Sequence, residues 1–317
     1  MPMPPATPLS QPGIFNVLDP WYNDPIIGWT GMVADDDTVG ERNAAVLQAI
    51  ITYAQTTDCS NVHPYGAIIL FPGHSGVPVQ DTNGHDKGAE YFVAVPDSIT
   101  EAPFFAVQVN CNWPLRFLGT GSAKLTMVAN DNSDFGDMFL ITTGGADNTG
   151  GITFEDLYFK YPMINESGGI PDYAAIHVPA PGSVENLRIV RCAFWDCPIG
   201  VWVENGLQCS ILQCTIYYHS NTGIGIWLGD GMNIGDSGLA KQVYVAGCLI
   251  SNDSAHGAPP GGTGILIMGA DQVRIVDSDV GGFARPLLLH RGHTDRTRFI
   301  SLSPILAFTR APLSTPH

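Results

Sequence analysis

The chain has 317 residues, 44% apolar and only 14% charged, with a net charge of −16 and a pI near 4.6. Such a field repels nucleic acid and anionic membrane surfaces, and polyanionic glycans too unless a cation mediates. No apolar run is long enough to span a bilayer, and Met1-Pro2-Met3-Pro4-Pro5-Ala6-Thr7-Pro8 has neither the basic nor the apolar region of a secretory signal.

Residues 1–36, rich in Pro, Trp and Asp and without periodicity, read as an extended arm that packs on something else. Thr38-Val39-Gly40-Glu41 then has the pattern of a capping box. The spacing of Val46, Leu47, Ile50, Ile51 and Ala54 predicts a helix over 41–55. Ala67-Ile68-Ile69-Leu70-Phe71-Pro72-Gly73 reads as a strand ended by a Pro-Gly turn, and Arg116-Phe117-Leu118 as a strand running into Gly119-Thr120-Gly121. Strands continue at 137–141 and 152–158.

Four later stretches superpose: Val190-Arg191-Cys192-Ala193-Phe194, Leu212-Gln213-Cys214-Thr215-Ile216, Ala246-Gly247-Cys248-Leu249-Ile250 and Val276-Asp277-Ser278-Asp279-Val280. Each follows an apolar partner segment, and these begin at Ala175, Gly200, Gly225 and Gly264, so that the units start 25, 25 and 39 residues apart. A degenerate repeat of short strands with a period near 22–25 residues is a solenoid pattern. Insertions at 161–173, 229–241 and 252–262 are rich in turn residues, as loops leaving a rigid coil should be. Cys192, Cys214 and Cys248 recur at the repeat position and are expected to point inward as small buried side chains. Cys59, Cys111, Cys197 and Cys209 form no zinc-ligand pattern, and a Cys197–Cys209 bridge is left open. Residues 291–317 have no clear repeat, and 285–317 hold five of the ten arginines with one acid, Asp295. This tail either caps the coil or leaves its end to a partner.

The order Asp36-Asp37-Thr38, helix, buried strand ending in Phe71-Pro72-Gly73, then Arg116 to Gly121, resembles the N-terminal part of the pectate-lyase-like right-handed parallel β-helix superfamily. With the repeats, the resemblance covers roughly residues 30–290. It implies an all-β, single-stranded parallel β-helix over 37–290 whose N-terminal helix blocks the open sheet edge. It also implies a carbohydrate-active enzyme or a phage tailspike-like protein, placed outside the cell or on a virion surface. The motifs of polygalacturonases of this fold are incomplete here. Asn148-Thr149-Gly150 and Asn221-Thr222-Gly223 lack the acid, Ala255-His256-Gly257 lacks the first glycine, and Arg188-Ile189-Val190 and Arg274-Ile275-Val276 lack the lysine. A calcium-dependent pectate lyase lacks support as well, since Arg188, Arg191 and Arg274 have no acid cluster in register.

With Ile176, Val201, Ile226 and Ile265 facing inward, strand alternation puts His177, Trp202, Trp227 and Leu266 in one outward column, which Phe139 and Leu288 could extend. Adjacent Trp202 and Trp227 suit a platform for stacking sugar rings; the alternative is that an inserted loop or the N-terminal arm covers them. Glu204 and Asp230 follow the two tryptophans on neighbouring turns. Two carboxylates about 5–5.5 Å apart serve retaining glycosidases and about 6.5–9.5 Å inverting ones, and adjacent turns allow either. Equally, Glu204-Asn205-Gly206 and Gly229-Asp230-Gly231 are turn sequences in their own right. Asp236, Asp253 and His256 on the inserted loops, and His290 beyond Leu288, could add substrate contacts, with His177 as an accessory catalytic group. Asp230, Asn233, Asp236, Asn252 and Asp253 offer oxygens to calcium, but no loop has an established calcium spacing, and no cofactor is expected. The expected partner is an oligo- or polysaccharide on the outer face. The alternative is a non-catalytic glycan-binding or adhesion β-helix, trimeric through its C-terminal end.

Overall fold

The computed structural model describes residues 13–19, 26, 37–56, 66–73, 79–80, 86–87, 90–121, 123–129, 135–143, 151–162, 172–180, 184–219, 223–229, 240–252, 261–290 and 301–308. Its strands pair in parallel in every ladder but one short antiparallel pair, Val79–Gln80 with Asp86–Lys87. The chain is a parallel β-helix, as its resemblance to the pectate-lyase-like superfamily implies, with three long faces. The first face runs from Ile14–Asn16 through Ala67–Phe71, Leu115–Gly119, Ile152–Glu155, Arg188–Val190, Ser210–Leu212 and Tyr244–Ala246 to Arg274–Gly281. That last long strand also closes the second face, which returns through Leu249–Asn252, Thr215–Tyr218, Ala193–Trp195, Tyr158–Lys160 and Lys124–Val128 to Glu90–Ala94. The third face is a seven-stranded sheet, Phe105–Asn110, Asp137–Thr142, Ala174–Val178, Ile199–Val203, Ile224–Leu228, Thr263–Met268 and Arg285–His290.

Two corners per coil are made by residues in the left-handed region. Asp156, Arg191, Gln213, Gly247 and Asp277 form one such column, and Asn186, Gln208, Gln242 and Gln272 the other. A non-glycine residue pays roughly 1 kcal/mol or more for this conformation. The ladder offsets it, because the corner amides donate to the next coil: Arg191 N to Leu212 O at 2.9 Å, Gln213 N to Ala246 O at 2.8 Å, Gln208 N to Lys241 O at 3.0 Å. The next residue then faces inward. That is why Cys192, Cys214, Cys248 and Ser278 stack inside, and Cys209 with them at the other corner, all nearly fully buried. Cys111, Cys192, Cys197, Cys209, Cys214 and Cys248 are free thiols, so Cys197 and Cys209 are not bridged.

Inward columns fill the coil. Ile69, Phe117, Phe154, Ile189, Ile211, Val245 and Ile275 are in register on the first face, and Phe117 stacks on Phe154 at 4.7 Å. Val107, Phe139, Ile176, Val201, Ile226, Ile265 and Leu287 line the third.

The helix spans Asp37–Ala54, four residues longer at its start than its sequence pattern predicts. Thr38 therefore sits in the first turn, and Glu41 Oε1 accepts the Asp97 amide. Its apolar side packs over the coil while its amide side chains serve the edge strand Phe105–Asn110. Gln48 pairs with both the N–H (2.7 Å) and C=O (3.0 Å) of Gln108, and Gln55 Oε1 accepts the Asn110 amide. The helix thereby satisfies the backbone groups that would otherwise recruit another strand. It is too polar to cross a membrane. At the opposite end, where the sequence shows no clear repeat, Ser301–Phe308 pairs in parallel with Arg274–Gly281.

Candidate functional site

The outer surface of the third face carries the expected column, in register as Leu140, His177, Trp202, Trp227, Leu266 and Leu288. Leu140 takes the place that Phe139 was expected to hold. Phe139 faces inward against Phe117 and Phe154, because strand alternation leaves one residue of each neighbouring pair inside. His177 stacks on Trp202 with ring centroids 4.2 Å apart, and Trp202 on Trp227 at 4.5 Å. The expected open platform is not what the structure has. Trp227 retains 6% of its surface and Leu266 5%, and with Ala174, Ile199, Ile224, Met268 and Leu288 they make a second apolar cluster outside the coil; Trp202 is half-buried beside it. Ala174, Ile199 and Ile224 pack beside the column, and the two indoles lie face to face within it. The indole N–H groups of Trp202 and Trp227 are buried and have no hydrogen-bond partner among the described residues.

At the end of the stack the apolar surface gives way to a charged chain. Asp137 opens its strand from behind Gly136, where a side chain would collide with the Phe104 carbonyl. The Tyr161 hydroxyl holds this corner, reaching the carbonyls of Gly136 (2.8 Å) and Ala174 (3.0 Å). Asp137 Oδ1 accepts the Ala174 amide at 2.7 Å and Oδ2 lies 2.7 Å from His177 Nδ1. His177 Nε2 lies 3.0 Å from Glu204 Oε1, and Glu204 Oε2 accepts the Ala180 amide at 2.9 Å. Burial alone would lower the imidazole pKa. The Asp137 carboxylate, by charge and hydrogen bond, and then Glu204 outweigh it and hold His177 up at about 9. Both ring nitrogens then carry protons and donate in opposite directions. Burial pushes the Asp137 carboxyl up, a shift that His177 and the Ala174 amide oppose.

Of the residues expected at the site, the structure brings His177, Trp202, Trp227 and Glu204 together. Asp230, Asp236, Asp253 and His256, and the calcium donor Asn233, lie outside the described residues. Gly229, which leads into Asp230, has φ +92°, and a side chain there would lie 1.7 Å from the Met268 carbonyl, so only glycine fits this corner. His290 ends the last strand of the face, its Cα opposite that of Met268. Asn252 Nδ2 donates to the Gly261 carbonyl at 3.2 Å. Among the described residues no group of three or more His, Cys, Asp or Glu side chains is arranged to hold a metal ion.

Sequence reasoning missed Asp137. Its one signal was an acid at the head of the apolar strand Met138-Phe139-Leu140-Ile141, a place where a charge needs a partner.

No protein-family profile and no curated protein matches the chain. Among solved structures it is similar to the A-module of mannuronan C-5 epimerase AlgE4 from Azotobacter vinelandii, at 11% identity over 95% of this chain and 99% of that one, with a TM-score of 0.37. At that distance no residue role is carried across, and the parallel β-helix rests on the ladders of this chain itself.

Proposed function

We propose that the chain is a carbohydrate-active enzyme, a hydrolase, transferase or lyase, working on an oligo- or polysaccharide laid along the outside of the third face. The observation that carries this is the Asp137–His177–Glu204 chain set at the end of a ring stack. Glu204 is its most accessible member, at 13% of its side-chain surface against 8% for His177 and 3% for Asp137. Glu204 is the acid/base that would touch substrate. His177 stands 3.0 Å behind it and can return a proton to it, and Asp137 orients the imidazole and balances its charge, the division of labour of a catalytic triad. Asp230, one residue past the next coil's corner, is our candidate for the second carboxylate. Asp236, Asp253, His256 and His290 are our candidates for holding the sugar, and Trp202 and Trp227 join them only where the entering chain opens the apolar cluster that covers Trp227.

The test is product formation on a panel of glycans by wild type, Glu204→Gln and Asp230→Asn. Each substitution is expected to cost about 10²–10⁴-fold in turnover while binding is retained. No product from wild type on any glycan sinks the proposal.

One observation favours the non-catalytic alternative. Both nitrogens of His177 and the outer oxygens of both carboxylates are spent on protein partners, as in a structural pin tying three strands. In that case the molecule is a glycan-binding or adhesion module assembling, as a trimer, through the strand Arg285–His290, which pairs on one side only among the described residues. Light scattering separates the two, since a monomer counts against the trimer.

A further inference from the structure

The second face has an open aromatic groove that the proposed site does not use. Two outward rows run along it: Tyr158, Ala193, Thr215 and Leu249 in one, and Lys160, Trp195, Tyr217 and Ser251 in the other. Ala193 and Thr215 are short, so a trough of about 400 Å³ opens beside the rings of Tyr158, Trp195 and Tyr217. Trp195 keeps 36% of its surface, against 6% for Trp227. Past Tyr158 and Ala193 the trough continues into a hollow of about 550 Å³ bordered by Gly119-Thr120-Gly121 and by Arg191 and Asp156.

The rings are fixed in advance. Tyr217 meets Trp195 edge to face at 5.2 Å and His219 at 4.8 Å. Trp195 Nε1 lies 3.0 Å from His219 Nδ1, and Asp196, itself nearly buried, accepts the His219 amide at 2.7 Å. The Nδ1 atom also lies 3.0 Å from Asp196 Oδ2. A single nitrogen cannot accept the indole proton and donate to the carboxylate at once, so the pose of Trp195 is tied to the tautomer of His219.

We propose that this groove binds a neutral oligosaccharide chain, at a site separate from Asp137, His177 and Glu204. Sugar rings offer C–H faces that pack on aromatic rings, and hydroxyls that need paired donors and acceptors. The groove supplies both: ring faces along the trough, and Thr215, Thr120 and the Arg191–Asp156 pair at its floor and rim. The charges at its rim pair with each other, Arg191 with Asp156 and Glu155, and Arg116 with Glu155, so these four groups cancel. The charge of −16 turns polyanions away. A chain held here stays tethered while another segment of it occupies or leaves the third face, which raises its local concentration there.

The experiment is fluorine NMR on protein labelled with 5-fluorotryptophan, titrated with neutral hexasaccharides of glucose, mannose, xylose and galactose. The Trp195 resonance, assigned by its loss in Trp195→Phe, is expected to shift with at least one sugar. Tyr217→Ala, followed at the Trp195 resonance, and Trp195→Ala, followed by titration calorimetry against wild type, are each expected to weaken that binding about tenfold or more, and Glu204→Gln to leave it unchanged. A Trp195 signal that no neutral sugar moves, or affinity that survives both substitutions, overturns the proposal. So does saturation by oligogalacturonate, or by a synthetic peptide of residues 1–12 with its Pro2, Pro4, Pro5, Pro8 and Pro12, in place of neutral sugar. Loss of turnover in Glu204→Gln is read separately, so the two proposals fail independently.

Discussion

The molecule carries two aromatic faces built from the same parts and put to opposite uses. On the third face a histidine and two tryptophans form a parallel stack, with a buried aspartate hydrogen-bonded to the histidine, Trp227 covered and Trp202 half-buried. On the second, Trp195, Tyr217, His219 and Asp196 form an edge-to-face group that stays open. The difference lies in the neighbours. Along the third face the flanking row beside the indoles is Ala174, Ile199 and Ile224, apolar at these positions before it reaches Thr263 and Arg285, and it merges with the indoles into a cluster. Along the second the flanking row dips at Ala193 and Thr215 and leaves a trough. Aromatic residues on a β-helix therefore do not announce a binding surface by themselves; the size of the residues beside them decides whether they are core or platform.

The largest expected effect sharpens this contrast directly. Trp227→Ala removes a large side chain from a packed cluster and is expected to cost about 3–5 kcal/mol of stability. Trp195→Ala removes a half-open ring and should cost about 1 kcal/mol or less. Denaturant unfolding of the two variants measures both. Equal losses would erase the distinction between the faces.

A second contrast lies in pH. The folded-state pKa of His177, about 9, exceeds the ordinary value of 6.5 expected in the unfolded chain. Its contribution is therefore fully present below about pH 6.5 and is lost as pH rises through about 9. The ceiling is about 3 kcal/mol, from about 1.4 kcal/mol per unit, and the burial of Asp137, which works against its own ionisation, reduces the net value. The stability difference between wild type and His177→Gln, followed from pH 6 to 10, should shrink across that window. A difference that stays flat would mean that the imidazole is neutral and that the Asp137–His177–Glu204 chain carries one proton fewer.

How much of this was legible in the sequence follows from what repeats. The inward ladder recurs every coil as Cys192, Cys214, Cys248 and Ser278, and it sets the register that places His177, Trp202 and Trp227 in one row. Burial of that row was not legible, because it depends on Ala174, Ile199 and Ile224, whose packing against the outward column shows only once the strands are aligned. The open groove had a signal that the repeat contains: Trp195 and Tyr217 each stand three residues after a ladder cysteine, so they are neighbours on the next strand outward. Asp137 could not be paired with His177 from sequence, since 40 residues separate them and only the coil geometry joins them.

The smallest expected effect tests what the covered stack is for. Trp202 and Trp227 each bury an indole N–H with no partner among the described residues, and a buried donor left unpaired costs on the order of 1–3 kcal/mol. Replacing either by Phe keeps most of the ring and removes that donor, so the lost packing and the relieved penalty should nearly cancel, leaving stability within about 1 kcal/mol of wild type. If the donors exist to meet a sugar hydroxyl when substrate enters, the Phe variants stay folded but bind or turn over glycan less well. If the stack is only packing, they behave as wild type on every glycan. Two donors with no partner among the described residues, side by side on the face that also holds Glu204, favour the first outcome, because packing alone is served as well by Phe.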